Sequence, residues 1–198
     1  MNEHRSGPVR STAAREAILD ATARLFHNQG YDRLTIEGIA KEAGVGKQTI
    51  YRWWPSRGAL IGECLAEGRL IPVDFVVPDT GDLFADVAAW LRTVMSLVDA
   101  PEGGALLRSL VSAATEDAGV GTHLTESLGV EEHLSQRLRA GIGAGQLPPD
   151  APVEQIGAAI LGAIIVQSLS RRSGETGSLE QLVRFLFAPG GEAPRGGG

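Results

Sequence analysis

Apolar residues recur three and four positions apart along most of this chain, a spacing that predicts helices separated by short polar or glycine-bearing breaks. From Ser11 or Thr12, either of which can cap a helix, Ile18, Thr22, Leu25 and Phe26 share a face up to a stop at Gln29 and Gly30. Thr35 caps a second helix of about nine residues, with Ile36, Ile39, Ala40 and Ala43 on one side and Gly44 at its end. A short third helix runs from Lys47 to about Trp53. Pro55 and Ser56 break it and open a fourth, which carries Leu60, Ile61, Leu65 and Leu70.

Pro72 and Pro78 bracket an extended connector. Beyond it the pattern predicts helices at 83–98, at 102–118 and at 122–143, closed by Pro148 and Pro149. A long apolar helix is expected from Pro152 to Arg171, and a last one from Ser178 to Phe187. Residues 73–77 alternate, but the stretch is too short and too closely bounded by proline to seed a sheet. The expected fold class is all-α, with about nine helices. Residues 1–10 read as a flexible basic arm and 189–198, rich in Gly and Pro, as a disordered tail. Between them, 11–57 is the expected helix-turn-helix domain, and 58–188 the body of the protein.

Charge sharpens that division. The net charge is −6, which by itself argues against a nucleic-acid partner. Residues 1–60, however, hold nine basic and six acidic side chains, against nine basic and eighteen acidic in the remainder. A basic first third on an acidic body suggests a phosphate-facing module attached to a part with another task. The single cysteine, Cys64, excludes an intrachain disulfide and a cysteine-based zinc site, as suits a reducing cytoplasm. The apolar run from Ile156 to Leu169, interrupted by Gln167 and Ser168, falls short of the ~18–20 residues of a membrane span. The first residues lack the apolar stretch of a secretory signal. No membrane partner is expected, and the expected location is cytoplasmic.

Candidate chemistry concentrates at the second and third helices. Two short helices joined through Ala43, Gly44, Val45 and Gly46 have the lengths and turn of a helix-turn-helix. On the third, a rotation of about 100° per residue turns Ile50 and Trp54 inward together and sends Gln48 and Arg52 outward, with Thr49, Tyr51 and Trp53 at the flanks. Gln and Arg can read base edges, Thr can touch a thymine methyl, and Tyr can bond a phosphate; Lys47 would meet the groove wall. The same residue types also serve as a solvated helix face. Enzyme constellations are weak by contrast. Glu131, Glu132 and His133, with His123 ten residues earlier, do not share a helical face as a metal cluster would. Gly141, Gly143 and Gly145 lack the preceding strand and the following Lys-Ser/Thr of a phosphate loop, and Ser109 and Ser168 lack an elbow. No cofactor and no metal are expected.

The stretch from Thr35 to Leu60 resembles the DNA-binding signature of the TetR family: a Thr, an Ile-Ala pair, Ala-Gly-Val, a small-polar-Lys start to the recognition helix, and a Tyr-x-x-aromatic end. The resemblance covers about residues 13–61; farther on only helix number and placement agree. It implies that Thr35 and Arg57 contact phosphates, that Lys47, Tyr51 and Trp53 anchor the recognition helix, and that Gln48, Thr49 and Arg52 touch bases. Gly46 stands where the family usually has Ser, and Trp53 where His or Tyr is commoner. Arg5 and Arg10 on the arm would reach a neighbouring groove or remain a solvated tail.

The resemblance also implies a homodimer on a palindromic operator of double-stranded DNA, with the last two helices as interface. Candidates are Ile156, Ile160 and Ile164 among small residues, then Leu182 and Phe185; the same stripes would also serve inside one subunit. A small-molecule effector would bind among residues 82–170, with Phe84, Trp90, Met95 and Leu110 as wall and His123 and Gln167 as polar contacts, unless these are ordinary core or surface. The implied activity is that of a repressor released by its effector. The alternative is a constitutive DNA-binding regulator without a ligand.

Overall fold

The computed structural model of the chain describes residues 8–71, 75–170 and 176–187. Among these, every regular element is helical. In chain order they are α1 (Pro8–Gln29), α2 (Ile36–Ala43), α3 (Lys47–Tyr51), α4 (Arg57–Ala66), α5 (Leu83–Asp99), α6 (Pro101–Glu116), α7 (Ala118–Ser127), a π-helical turn (Val130–Leu134), α8 (Ser135–Gly143), α9 (Val153–Ser170) and α10 (Thr176–Leu186). The chain divides into two compact units. Unit 1 comprises Met1–Asp74 and Ala100–Leu128, and unit 2 comprises Phe75–Asp99 and Gly129–Gly198.

Unit 1 is built on α1, which packs on α2 and α4; Ile18, Leu19, Ala21, Thr22 and Phe26 of α1, Ile39 of α2 and Leu60, Ile61 and Leu65 of α4 are buried. Helix α1 starts at Pro8, a residue whose locked φ suits a first helical position, so Arg10 belongs to the helix rather than to the arm. Arg5, the rest of the arm and the tail at 189–198 lie outside the described residues. An ion-pair network fastens α1 to α4 and its exit: Arg15 binds Glu16, Glu63 and Glu67, and Arg69 binds Glu16, Asp20 and Glu67. The bond from Arg15 holds the Glu67 carboxyl below its ordinary range. Burial pushes the Cys64 thiol up to about 12, which keeps it protonated.

Unit 1 does not stop after four helices. Helix α7 packs closely on α4, because α4 turns Gly58 and Gly62 toward it. A Cβ at Gly62 would stand 2.7 Å from the ring of His123, and one at Gly58 would run into Asp117. Ser56 caps α4 by accepting from the Ala59 N–H at 2.9 Å, and its hydroxyl donates to Asp117 at 3.1 Å. The close crossing therefore depends on residues more than fifty positions apart.

Unit 2 has an aliphatic core: Val87, Leu91, Val94 and Met95 of α5, Leu134 and Leu138 near and on α8, and Ile156, Ile160 and Ile164 of α9. The continuous helix expected at 122–143 is interrupted. Gly129 takes φ 69°, and the chain restarts through the π turn before α8. The Ser135 hydroxyl donates to Val130 O at 3.0 Å across this widened turn. Arg137 is buried against Asp86, with Nε donating to its carboxylate at 2.8 Å. Thr80 donates to the same carboxylate from its N–H at 3.0 Å and its hydroxyl at 2.7 Å. Burial alone would raise the Asp86 pKa, but the bonds from Thr80 and Arg137 outweigh it and hold the group ionised.

Candidate nucleic-acid interface

The turn between α2 and α3 is closed from within. Gly44 adopts the left-handed region at φ 67°, and its N–H reaches Lys41 O at 3.3 Å while Val45 N–H reaches Ala40 O at 2.9 Å. A side chain at this φ would be strained, which is why glycine occupies the position. Helix α3 then begins at Gly46, whose O accepts from Thr49 N–H at 2.8 Å, and it tightens after Tyr51 as Trp53 and Trp54 N–H both return to Ile50 O at 2.9 Å.

One side of α3 is tied down completely. Ile50 is 0% exposed and Trp54 2%, and the Trp54 indole donates to Glu63, the same carboxylate that Arg15 binds. The other side faces solvent. Lys47, Gln48, Arg52, Tyr51 and Trp53 are exposed, the two aromatics by 54% and 40%, while Thr49 is half-buried. Large aromatics at such exposure, interleaved with amide and guanidinium donors, make a face with rigid contact area and hydrogen bonds available to a duplex.

Around this face the expected phosphate contacts diverge. Thr35 is exposed and caps α2, its oxygen accepting from Gly38 N–H at 3.0 Å, which leaves its own O–H to donate outward. Lys47 lies 2.7 Å from Glu37 of α2, a pairing that lowers the Glu37 pKa and raises that of Lys47. Gly46 starts α3 without any side-chain cap. Arg57, expected at a phosphate, is instead turned into unit 1. Its guanidinium donates to Tyr31 O at 3.1 Å, to Leu34 O at 2.8 Å and to Glu116 at 2.9 Å, and it lies 3.7 Å above the Tyr31 ring. Those bonds hold the guanidinium against residues of unit 1.

Tyr31 and Glu116 were not singled out in the sequence. The Tyr31 hydroxyl donates to Glu116 at 2.6 Å, and that bond leads the causes that hold the Glu116 carboxyl below its ordinary range. The partners are 85 residues apart, and no local pattern signals them.

The remaining candidates fall in different places. Leu110 is fully buried in unit 1, where His123 lies against Gly62 with Nδ1 2.8 Å from Glu126. Trp90, Met95 and Phe84, expected with them as wall, belong to unit 2 with Gln167. Trp90 and Met95 are buried; Phe84 is half-buried beneath the Arg184 guanidinium, at 4.5 Å, beside a groove of about 740 Å³ shared with Leu83, Pro148 and Phe187. Ile156, Ile160 and Ile164 are at most 7% exposed in the single chain, so they serve the interior of their own subunit and not a dimer interface. The outer side of α9 instead presents Val166 at 63% and Leu169 at 51%, and α10 presents Phe185 at 79% with Leu182 half-buried. Against the expectation for 156–169, α9 is an 18-residue helix of mean hydropathy 1.5, long and apolar enough to cross a membrane by length and composition; a core helix passes the same test.

A short helix locked by Ile50 and Trp54, presented by a glycine turn and faced with exposed donors, defines a helix-turn-helix DNA-binding transcription regulator. Residues 18–64 match the model described as bacterial regulatory proteins, tetR family, and residues 77–186 match the tetracyclin repressor-like C-terminal domain. The chain belongs to the TetR family, whose members are transcription regulators and not enzymes. It is 27% identical to the HTH-type transcriptional regulator YdeS of Bacillus subtilis over 157 residues, 77% of this chain and 76% of that one. With AqdR of Rhodococcus erythropolis it shares 30% identity over 113 residues, 57% of this chain and 54% of AqdR. Among solved structures, the TetR family transcription regulator SCO0332 is 30% identical with a TM-score of 0.64, covering 90% of this chain and 99% of that one. Salmonella enterica GusR, at 16% identity and a TM-score of 0.62 over 94% of this chain and 100% of its own, shares the fold.

Proposed function

We propose that this regulator is a cytoplasmic homodimeric repressor that binds a palindromic operator and leaves it when a small-molecule effector binds. The observation that carries the reading is the two-sidedness of α3 and the turn after it, with Ile50 and Trp54 held inside and Lys47, Gln48, Tyr51, Arg52 and Trp53 outside. Gln48, Thr49 and Arg52 are the base-reading residues; Thr35, Gly46, Lys47, Tyr51 and Trp53 border the backbone of the groove. One α3 offers too few contacts for useful discrimination. A two-fold partner doubles them and requires half-sites about one helical turn, or a multiple, apart.

The apolar outer stripe of α9 and α10 supports the dimer. Ala158, Gly162, Val166 and Leu169 follow one another at helical spacing, and nothing lies within 4 Å of a Cβ placed on Gly162. Small residues at the centre of such a stripe allow a second helix to approach closely, and Phe185 adds apolar area beside it. Effector release requires a ligand that prefers the DNA-free state by a few kcal/mol.

The test starts from a pool of random duplexes from which the protein selects its own site. Arg52→Ala is expected to cost about 1–3 kcal/mol of affinity for that site with an unchanged melting temperature. Equal affinity of variant and parent removes Arg52 from the reading head. Light scattering checks the assembly: the parent is expected as a dimer at micromolar concentration and Leu169→Glu as a monomer, and a monomeric parent overturns the two-fold reading.

A further inference from the structure

Among the described residues, the buried side-chain nitrogens and oxygens without a hydrogen-bonding partner are three: Trp90 Nε1, Arg137 Nη2 and Gln167 Nε2. All three belong to unit 2 and all three are N–H donors. Trp90 is 1% exposed and Arg137 5%. Neither an indole nor a guanidinium can accept a hydrogen bond, so what each lacks is an acceptor. A donor buried without one is costly, and proteins satisfy nearly all such groups.

Asp86 does not supply it to Arg137 Nη2. Its two oxygens already take the Thr80 N–H, the Thr80 hydroxyl and Arg137 Nε. Arginine commonly meets a carboxylate through two parallel bonds, yet here the contact is side-on through Nε alone, with Asp79 3.4 Å from the same nitrogen. The Nη2 of Arg137 stays without an acceptor. Trp90 follows Asp86 by four positions on α5, hence on the same face. Helix α8 runs antiparallel along that face, for Gly141 meets Leu83 and Arg137 meets Asp86.

We infer that the interior of unit 2 takes an aliphatic molecule bearing an acceptor oxygen, carbonyl or carboxylate, which accepts from Trp90 Nε1 and Arg137 Nη2. Val94, Met95, Leu134, Ile160 and Ile164 supply the apolar surroundings for its body. Gln167 adds an amide that serves a second oxygen. This rests on the effector reading above and names the chemistry of that effector.

The probes are decanoate, methyl decanoate and decylamine below their aggregation limits, which share a chain and differ in the head. With full-length protein, decanoate, the ester or both are expected to raise the melting temperature, and decylamine is not. Binding by both probes shows that the acceptor oxygen suffices; decanoate alone adds the charge of Arg137 as selector, and the ester alone shows that Asp86 cancels that charge. Trp90→Phe is expected to weaken the binding probe by about tenfold. If that variant does not melt cooperatively, Gln167→Met, from a half-exposed position, carries the same comparison.

Equal stabilisation by decylamine, no response to any probe, or parent-like affinity in a folded variant overturns the inference. DNA binding is measured on the same samples. A protein that holds its selected duplex but ignores all three probes loses only this inference, release of that duplex by decylamine alone overturns the acceptor while leaving the effector reading intact, and a protein that selects no duplex fails the regulator reading itself.

Discussion

Helices α3 and α9 each bury one stripe, yet they leave different things outside. Helix α3 and the turn after it hide Ile50 and Trp54 and present Lys47, Gln48 and Arg52; α9 hides Ile156, Ile160 and Ile164 and presents Val166 and Leu169. The contrast extends to the units they belong to. In unit 1 the described buried polar side chains find partners, as Trp54 does at Glu63 and Thr22 at Ile18 O, 2.8 Å away. In unit 2 three buried donors do not, and apolar area lies open on α9 and α10. A unit whose polar groups are satisfied internally is complete as a rigid platform for a reading head. A unit with orphan donors and an open apolar stripe has binding capacity that its own residues leave unused.

The sharpest way to probe this difference is to remove the one strong polar pair of unit 2. Asp86→Ala leaves Arg137 buried without its anion, and a loss of about 3–5 kcal/mol is expected in denaturant unfolding followed by circular dichroism. A loss below about 1 kcal/mol would mean that water already reaches the pair. Unit 1 is probed at its closest crossing. Gly62→Ala drives a methyl into the His123 ring, and a loss of about 1–3 kcal/mol is expected, with selected-site affinity falling only as far as unfolding requires.

Acidity tests both units together. The Asp86 carboxyl is held below its ordinary 3.8, so its contribution is fully present above that pH and is lost as pH falls through its folded value. Glu67 and Glu116 in unit 1 are likewise lowered from 4.5 and lose theirs over the same acid range. Thermal melts from pH 7 to 3 are expected to fall most steeply below about pH 4.5, and Asp86→Asn to flatten the lower part of that fall. The smallest effect is local: Thr35→Ala removes the cap on α2 and is expected to cost about 1 kcal/mol, with a further loss of DNA affinity if the Thr35 hydroxyl donates to a phosphate.

Much of unit 1 was legible because its signals are local. Thr35 and Ser56 cap, Gly44 stops a helix, and Ile50 with Trp54 mark an inward face within five residues. The start of α1 was read late, since Ser11 and Thr12 look like caps while Pro8 had already begun the helix. The partners of Arg57 were hidden for a different reason: they are Tyr31, Leu34 and Glu116, and Glu116 lies 59 positions away. In unit 2 the break at Gly129 and the π turn were hidden, because apolar spacing continues through them and only the backbone path reveals the extra residue.

Periodicity settled how many faces each helix has and which residues share them, since that follows from the 3.6-residue turn of the backbone. It determined an all-helical chain and a reading helix with Gln48 and Arg52 outward. What covers a face is a matter of contacts between distant segments. Only the tertiary structure decided that the isoleucines of α9 are its interior while Val166 and Leu169 are its surface, and that Arg57 closes on Glu116. It alone left Trp90 and Arg137 buried with donors to spare, because burial depends on neighbours that adjacent residues do not specify.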